Sequence, residues 1–188
     1  TMELVEVEGK AGMAAAYGQA MEASAAKYKV YIDERVRILE PRLLVRIIDL
    51  FEKHADLGIL GISGTKLLPP DGIAFHSTRR IGSLRLAAEG RTVSWGMVLG
   101  EAEDVLAVDG FLMATQTDVP WREDIFTGWH FYDISASMEY RRHGMRLMIP
   151  HFEKPPCIHE TGRKRLDDAW ETARQVFLDE YGKELQHG

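Results

Sequence analysis

The chain has 188 residues, 45% of them hydrophobic and 28% charged, with a formal net charge of -6. That length suits one domain with its own core, and the acidic balance excludes a general nucleic-acid binder, whose phosphate contacts need a basic surface. The lone Cys157 excludes a disulfide framework and a cysteine-rich zinc site; with no apolar run of membrane-span or leader type, the expectation is a cytoplasmic single domain over 1–188.

The stretch ELVEVEG (3–9) has the β-branched content of a strand and closes on Gly9. An alanine-rich segment follows, with Met13, Tyr17, Ala20 and Met21 at helical spacing. YKVYI (28–32) predicts a short strand that runs straight into Asp33 and Glu34. Pro41 suits the first turn of a helix, and Leu44, Ile47, Ile48 and Phe51 form an apolar stripe beyond it. LGILGIS (57–63) predicts a buried strand whose glycines admit neighbouring backbone. After a turn at Pro70-Asp71-Gly72, RTVSWGMVL (91–99) and DVLAVDGFLMAT (104–115) predict strands, the second folded at Asp109-Gly110. Helix over 132–143, strand over 145–149 and a long helix over about 163–182 complete the chain. That last helix carries Leu166, Ala169, Trp170, Ala173, Phe177 and Tyr181 on one face.

The β-α-β-α-β order of the first 64 residues predicts an α/β fold with a mixed, mostly parallel sheet flanked by helices. Ligands of open parallel sheets bind at the carboxyl ends of strands. Two such ends concentrate chemistry. One is Asp33-Glu34; the other is the segment from His151 to His159, which a helix opened by Asp133 precedes. Two basic clusters, HSTRR and EYRRHG, can each meet one small anion.

From residue 111 to 159 an acid opens a helix, an arginine and a glycine follow about two turns on, then come a strand, a proline and a histidine. These are Asp133, Arg141, Gly144, Pro150 and His159. Together with GWHFYDIS, EKPPCIH and GISGTKLLPPDG, they resemble a small bacterial glycosyltransferase-like family of GT-A fold, related to the family 2 nucleotide-sugar glycosyltransferases. The likeness spans roughly residues 10 to 181 and is densest from 109 to 162. It implies a GT-A-like domain that starts one strand later than the fold normally does, so base recognition is not assigned. One position departs from the family: an aspartate of its metal motif is replaced by Arg35 in YIDERV, with Asp33 and Glu34 beside it.

The resemblance implies transfer of a sugar from a nucleoside-diphosphate donor to a hydroxyl of a glycan or other acceptor, with inversion at the anomeric carbon. That chemistry needs a base for the acceptor's proton, worth about 10²–10⁴-fold, and positive charge for the departing diphosphate. By the same resemblance Asp133 is the base, and Asp33, Glu34 and His159 hold Mn²⁺ or Mg²⁺. Asp109, Gly110, Trp129, Arg141 and Arg35 would meet donor or acceptor. Hard divalent ions prefer carboxylate oxygens and bridge phosphates, and Mn²⁺ accepts an imidazole more readily than Mg²⁺ does. Arg35 offers another solution, neutralising a diphosphate without a metal.

Each of these residues has a plainer reading. Asp133 can be a helix N-cap, although Ala136 stands where a capping box needs Glu or Gln. Asp33-Glu34 can be a solvated turn, Asp109-Gly110 a β-turn, Trp129 core and Arg141 an exposed helix arginine. A non-catalytic GT-A module that has lost donor chemistry is the rival function. The sequence leaves the oligomeric state open.

Overall fold

The computed structural model describes residues 2–8, 12–87, 90–160 and 166–185. In chain order, α1 (Met13–Glu22), β1 (Lys29–Ile32), β2 (Val36–Ile38), α2 (Leu43–Lys53), β3 (Leu57–Gly61) and β4 (Ser63–Thr65) are followed by a 3-10 turn at Ala74–His76. Then come β5 (Arg80–Leu86), β6 (Arg91–Ser94), β7 (Ala102–Val105), β8 (Ala107–Val108) and β9 (Leu112–Thr115). The chain ends through α3 (Tyr132–Arg142), β10 (Arg146–Pro150), β11 (Cys157–His159) and α4 (Asp168–Leu185). One sheet has the order β1-β9-β3-β10-β7; the other runs β2-β11-β5-β4-β8, with β6 on β5.

The mixed α/β architecture is the expected one, but its pairing is mostly antiparallel. Among the described strands only β10–β3 and β11–β5 run parallel. β9 is the reason: it inserts between β1 and β3 and opposes both, so β-α-β order in sequence did not make those strands direct neighbours.

Alternation along the central strands divides the core in two. Met113 of β9 and Leu147 and Ile149 of β10 face a cluster shared with Met13 and Tyr17 of α1, Met138 and Tyr140 of α3, and Phe177 and Tyr181 of α4. Leu112, Ala114 and Met148 face the opposite way, against Leu43, Ile47, Leu50 and Phe51 of α2 and Leu84 and Cys157 of the second sheet. Burial pushes the Cys157 thiol up to about 12. Two members of the expected α2 stripe, Leu44 and Ile48, remain exposed instead; Leu43 and Leu50 take the buried positions.

Other boundaries moved for local reasons. Residues 2–8 form no strand; most are exposed, so their alternation serves no buried face, and Gly9 lies outside the described residues. The strand expected over 57–63 breaks at Ile62, which lets β3 join one sheet and β4 the other. The strand expected over 91–99 stops at Ser94. α4 begins at Asp168, because the Asp167 carboxylate takes the Trp170 N–H at 3.1 Å, an N-cap bond. Leu166 is thus outside the helix and exposed, and the expected start over 163–165 falls outside the described residues. Among the described residues no helix is long and apolar enough to cross a membrane.

Candidate active site

β1 and β3 both oppose β9, and β10 runs parallel to β3, so the carboxyl ends of β1, β3 and β10 share one edge of the sheet. The turn at Asp109–Phe111, which opens β9, lies at that edge too. The Asp33 N–H donates to the Phe111 carbonyl at 3.0 Å and ties the end of β1 to this turn. His159, at the end of β11, stacks on the Phe111 ring with centroids 5.1 Å apart.

α3 delivers the second acid to the same turn. The Gly110 N–H donates to Asp133 Oδ2 at 2.9 Å, and the Ile134 N–H donates to Oδ1 at 2.9 Å. Gly110 is required by space: a Cβ there would stand 2.5 Å from Tyr132 Oη and 2.6 Å from Asp133 Cβ. The buried Ser137 hydroxyl donates to the Asp133 carbonyl and receives the Val108 N–H, fixing α3 on β8. Asp133 is not the N-cap. Phe131 holds that place in the left-handed region, at φ 61, and Asp133 lies two residues in. There the helix dipole favours its negative charge. The buried Phe131 ring packs on Trp170 at 5.5 Å and Phe177 at 5.4 Å, contacts that sustain a backbone conformation costing on the order of 1–3 kcal/mol.

Electrostatics place these groups in one neighbourhood. Burial pushes the Tyr132 phenol well above its ordinary value, and the charges of Asp133 and Asp33, with Tyr17 between them in weight, push the same way. Burial also works to raise the Asp33 carboxyl, but hydrogen bonds from the Arg35 side chain and backbone, and the charges of Arg35 and His159, bring it below the usual carboxylate range. Tyr132 thus senses Asp133, Asp33 and Arg35, and Asp33 senses Arg35 and His159. Asp109 is anchored separately: it accepts the Ser63 hydroxyl and the Arg80 guanidinium, and the Trp95 ring covers that guanidinium at 3.9 Å.

The profile of a family described as "Glycosyltransferase like family" matches residues 1–181. The chain belongs to this glycosyltransferase-like family. No curated protein matches it. Two mixed sheets flanked by helices are the architecture expected of a GT-A-like glycosyltransferase domain.

For a glycosyltransferase-like chain the metal question turns on Asp33. Arg35 folds back over it: the Arg35 N–H and Nε donate to Oδ1 at 2.8 and 2.9 Å, and Nη2 donates to Oδ2 at 2.6 Å. Three of the carboxylate's roughly four acceptor positions are thus taken, and a cation on the one left at Oδ2 sits beside a guanidinium. Near a protein surface that repulsion is about 4 kcal/mol for each unit of charge at 4 Å. Glu34 is exposed on the turn, and among the described residues no three His, Cys, Asp or Glu side chains converge as a metal site needs. As they stand these residues do not fit Mn²⁺ or Mg²⁺.

The remaining expected residues divide. Trp129 is 58% exposed, so it is not core. Arg141 lies in the last turn of α3, eight residues from Asp133 and hence about 12 Å along the axis. The basic clusters spend charge internally: Arg80 of HSTRR meets Asp109, and Arg142 of EYRRHG meets Glu139, Glu180 and Glu184. Sequence reasoning missed Ser63, Arg80, Trp95 and Tyr132 as parts of the site. Of these only Arg80 carried a signal, as a basic residue able to meet one anion.

Proposed function

We propose that this protein is a glycosyltransferase that moves a sugar from a nucleoside-diphosphate donor to an acceptor hydroxyl, with inversion at the anomeric carbon. Asp133 accepts the acceptor's proton as the new glycosidic bond forms. The observation that carries this reading is the grip on Asp133: two backbone N–H groups fix its two oxygens at the sheet edge shared with Asp33 and Arg35. Family membership supports sugar transfer as the reaction type. On this reading Asp109 and Gly110 line the place where donor sugar and acceptor meet, Trp129 offers an exposed ring for a sugar face, and Arg35 meets the diphosphate. A hollow of about 300 Å³ at the ends of β3 and β10 has Ser83, Thr92, Ser94 and His151 among its walls, but none of Asp109, Asp133, Trp129 or Arg35 lines it.

One observation favours a second reading, a GT-A-fold binding module without catalysis: Asp33, the acid nearest the family's metal position, is committed to Arg35. A panel of nucleotide sugars separates the two. Donor consumption, by hydrolysis or transfer, at a rate proportional to protein concentration supports the transferase. A panel left intact beside a nucleoside diphosphate that still binds supports the module.

A further inference from the structure

We propose that the diphosphate leaving group is neutralised by Arg35 and not by a divalent ion, with Asp33 acting as the positioning residue that presents the guanidinium. This rests on the transferase reading above and adds the chemistry of its donor subsite.

The geometry of the pair carries it. Asp33 receives Nε and Nη2, which form one side of the planar guanidinium. The opposite end, made by Nη1 and the second hydrogen of Nη2, has no partner among the described residues. That end is a fork of two parallel N–H bonds, the shape that matches two phosphate oxygens. Exposure fits the division of labour: the Asp33 side chain is 11% exposed and that of Arg35 53%. The acid is sheltered and the cation faces outward. The turn is closed by the Val36 N–H on the Asp33 carbonyl at 2.9 Å, and the Arg35 carbonyl accepts the Glu160 N–H at 2.8 Å. Both ends of the short loop are thus pinned, so little freedom remains to be lost when the fork meets its anion. Glu34 and Tyr132 also bear on the guanidinium through their charge, and Tyr17 interacts with it too.

In the reaction, the acceptor oxygen bonds to the anomeric carbon while the bond from that carbon to the diphosphate oxygen breaks. The electron pair leaves with the diphosphate, and the acceptor's proton goes to Asp133. The charge that develops on the departing phosphate faces the Arg35 fork, a fixed cation where the charge appears. No oxidant, reductant or metal is needed for the balance.

Calorimetric titration of the full chain with inorganic pyrophosphate tests this, in EDTA and again with Mn²⁺. The expected affinity in EDTA is the same as with Mn²⁺ within about twofold, since a fork already supplies the charge-assisted bonds. Arg35→Gln weakens it about tenfold or more under both conditions, the loss expected for hydrogen bonds to a charged group. Asp33→Asn weakens it less and leaves it indifferent to Mn²⁺. Circular dichroism confirms that each variant is folded, and Arg35→Lys, which keeps the charge without the fork, serves where Arg35→Gln fails to fold. An affinity that rises tenfold with Mn²⁺, an Arg35→Gln chain that binds like wild type, or no pyrophosphate binding at all overturns the inference. Donor consumption abolished by EDTA also sinks it while the transferase reading survives. Metal-indifferent, Arg35-dependent binding without donor consumption sinks the transferase reading alone.

Discussion

Gly110 and Asp133 are 23 residues apart in the chain and one hydrogen bond apart in space, the glycine N–H donating to the carboxylate at 2.9 Å. The bond needs a residue without a side chain, because Tyr132 and the Asp133 Cβ already fill the space a Cβ would take. Gly110→Ala must therefore push the turn off α3. The expected cost is about 1–3 kcal/mol, as for other overpacked sites, seen as a lowered denaturation midpoint. Donor consumption falls further than stability does, since Asp133 loses its aim. An alanine variant with wild-type stability would mean that the turn and the helix are not in contact.

Asp133→Asn removes the proton acceptor and one of the two backbone bonds, since a single oxygen remains for the Gly110 and Ile134 N–H groups. The amide is nearly isosteric and keeps an oxygen for the Gly110 N–H. Turnover should fall about 10²–10⁴-fold, the usual contribution of a positioned base, while pyrophosphate affinity stays near wild type and stability falls by about 1–3 kcal/mol for the lost N–H bond. A variant that retains more than a tenth of the activity moves the base elsewhere.

The Asp33–Arg35 pair has a pH signature. The folded-state pKa of Asp33 lies below its unfolded value, so its contribution to stability is present above the ordinary carboxylate range. It is lost as pH falls through the folded value. Arg35→Gln removes it. Wild type and variant should differ in stability at neutral pH and converge below about pH 4, where the unfolded carboxyl is already taking up its proton. Denaturant melts at several pH values read this directly; a difference as large at pH 3 as at pH 7 would show that the pair is not what the substitution disturbed.

Which parts of this were legible in the sequence follows from how local each signal is. The helix opened by GWHFYDIS, the strand MRLMI and the turn at Asp109-Gly110 were readable because each rests on a few adjacent residues. Asp33, Asp133 and His159 were named together from order along the chain; Asp33 bonds the Phe111 carbonyl, His159 stacks on the Phe111 ring, and Asp133 accepts from the neighbouring Gly110. What could not be read was pairing across distance. Nothing in LMAT says that β9 will insert between β1 and β3. Nothing in VSWG says that Trp95 will cover Arg80 and so hold Asp109. Arg35 beside Asp33 was visible as text, but whether the guanidinium would fold back on that acid or reach away from it depended on a turn that only the backbone decides.

Arg80 and Asp109 form an ion pair whose side chains are 13% and 23% exposed. Deleting one partner of a fully buried pair costs about 3–5 kcal/mol; for this part-buried pair Arg80→Ala should cost less, because Asp109 is partly solvated and retains the Ser63 hydroxyl. Arg80→Ala with Asp109→Asn in a double-mutant cycle should cost less than the two single losses added together. Additive losses would mean that the two side chains do not act on each other. The activity readout is separate: Asp109→Asn impairs donor consumption even where stability is recovered.

α4 is far from the chemistry in sequence and still supports it. Phe177 is fully buried; it packs against Phe131 at 5.4 Å and Tyr181 at 5.1 Å and lies under Gly72. Around it Tyr181 donates to Glu139 at 2.7 Å, and Arg142 reaches Glu180 and Glu184 from α3. Phe177→Ala opens a cavity beneath Phe131, whose left-handed backbone sets the start of α3. The stability cost should be about 3–5 kcal/mol, as for other buried phenylalanines. Phe177→Leu should cost much less, because it keeps most of the volume. If Phe131 aims Asp133, Phe177→Leu loses turnover at saturating donor while pyrophosphate affinity holds. If α4 contributes stability alone, turnover in the folded Phe177→Leu protein stays at the wild-type value, and the link from α4 through Phe131 to the site is broken.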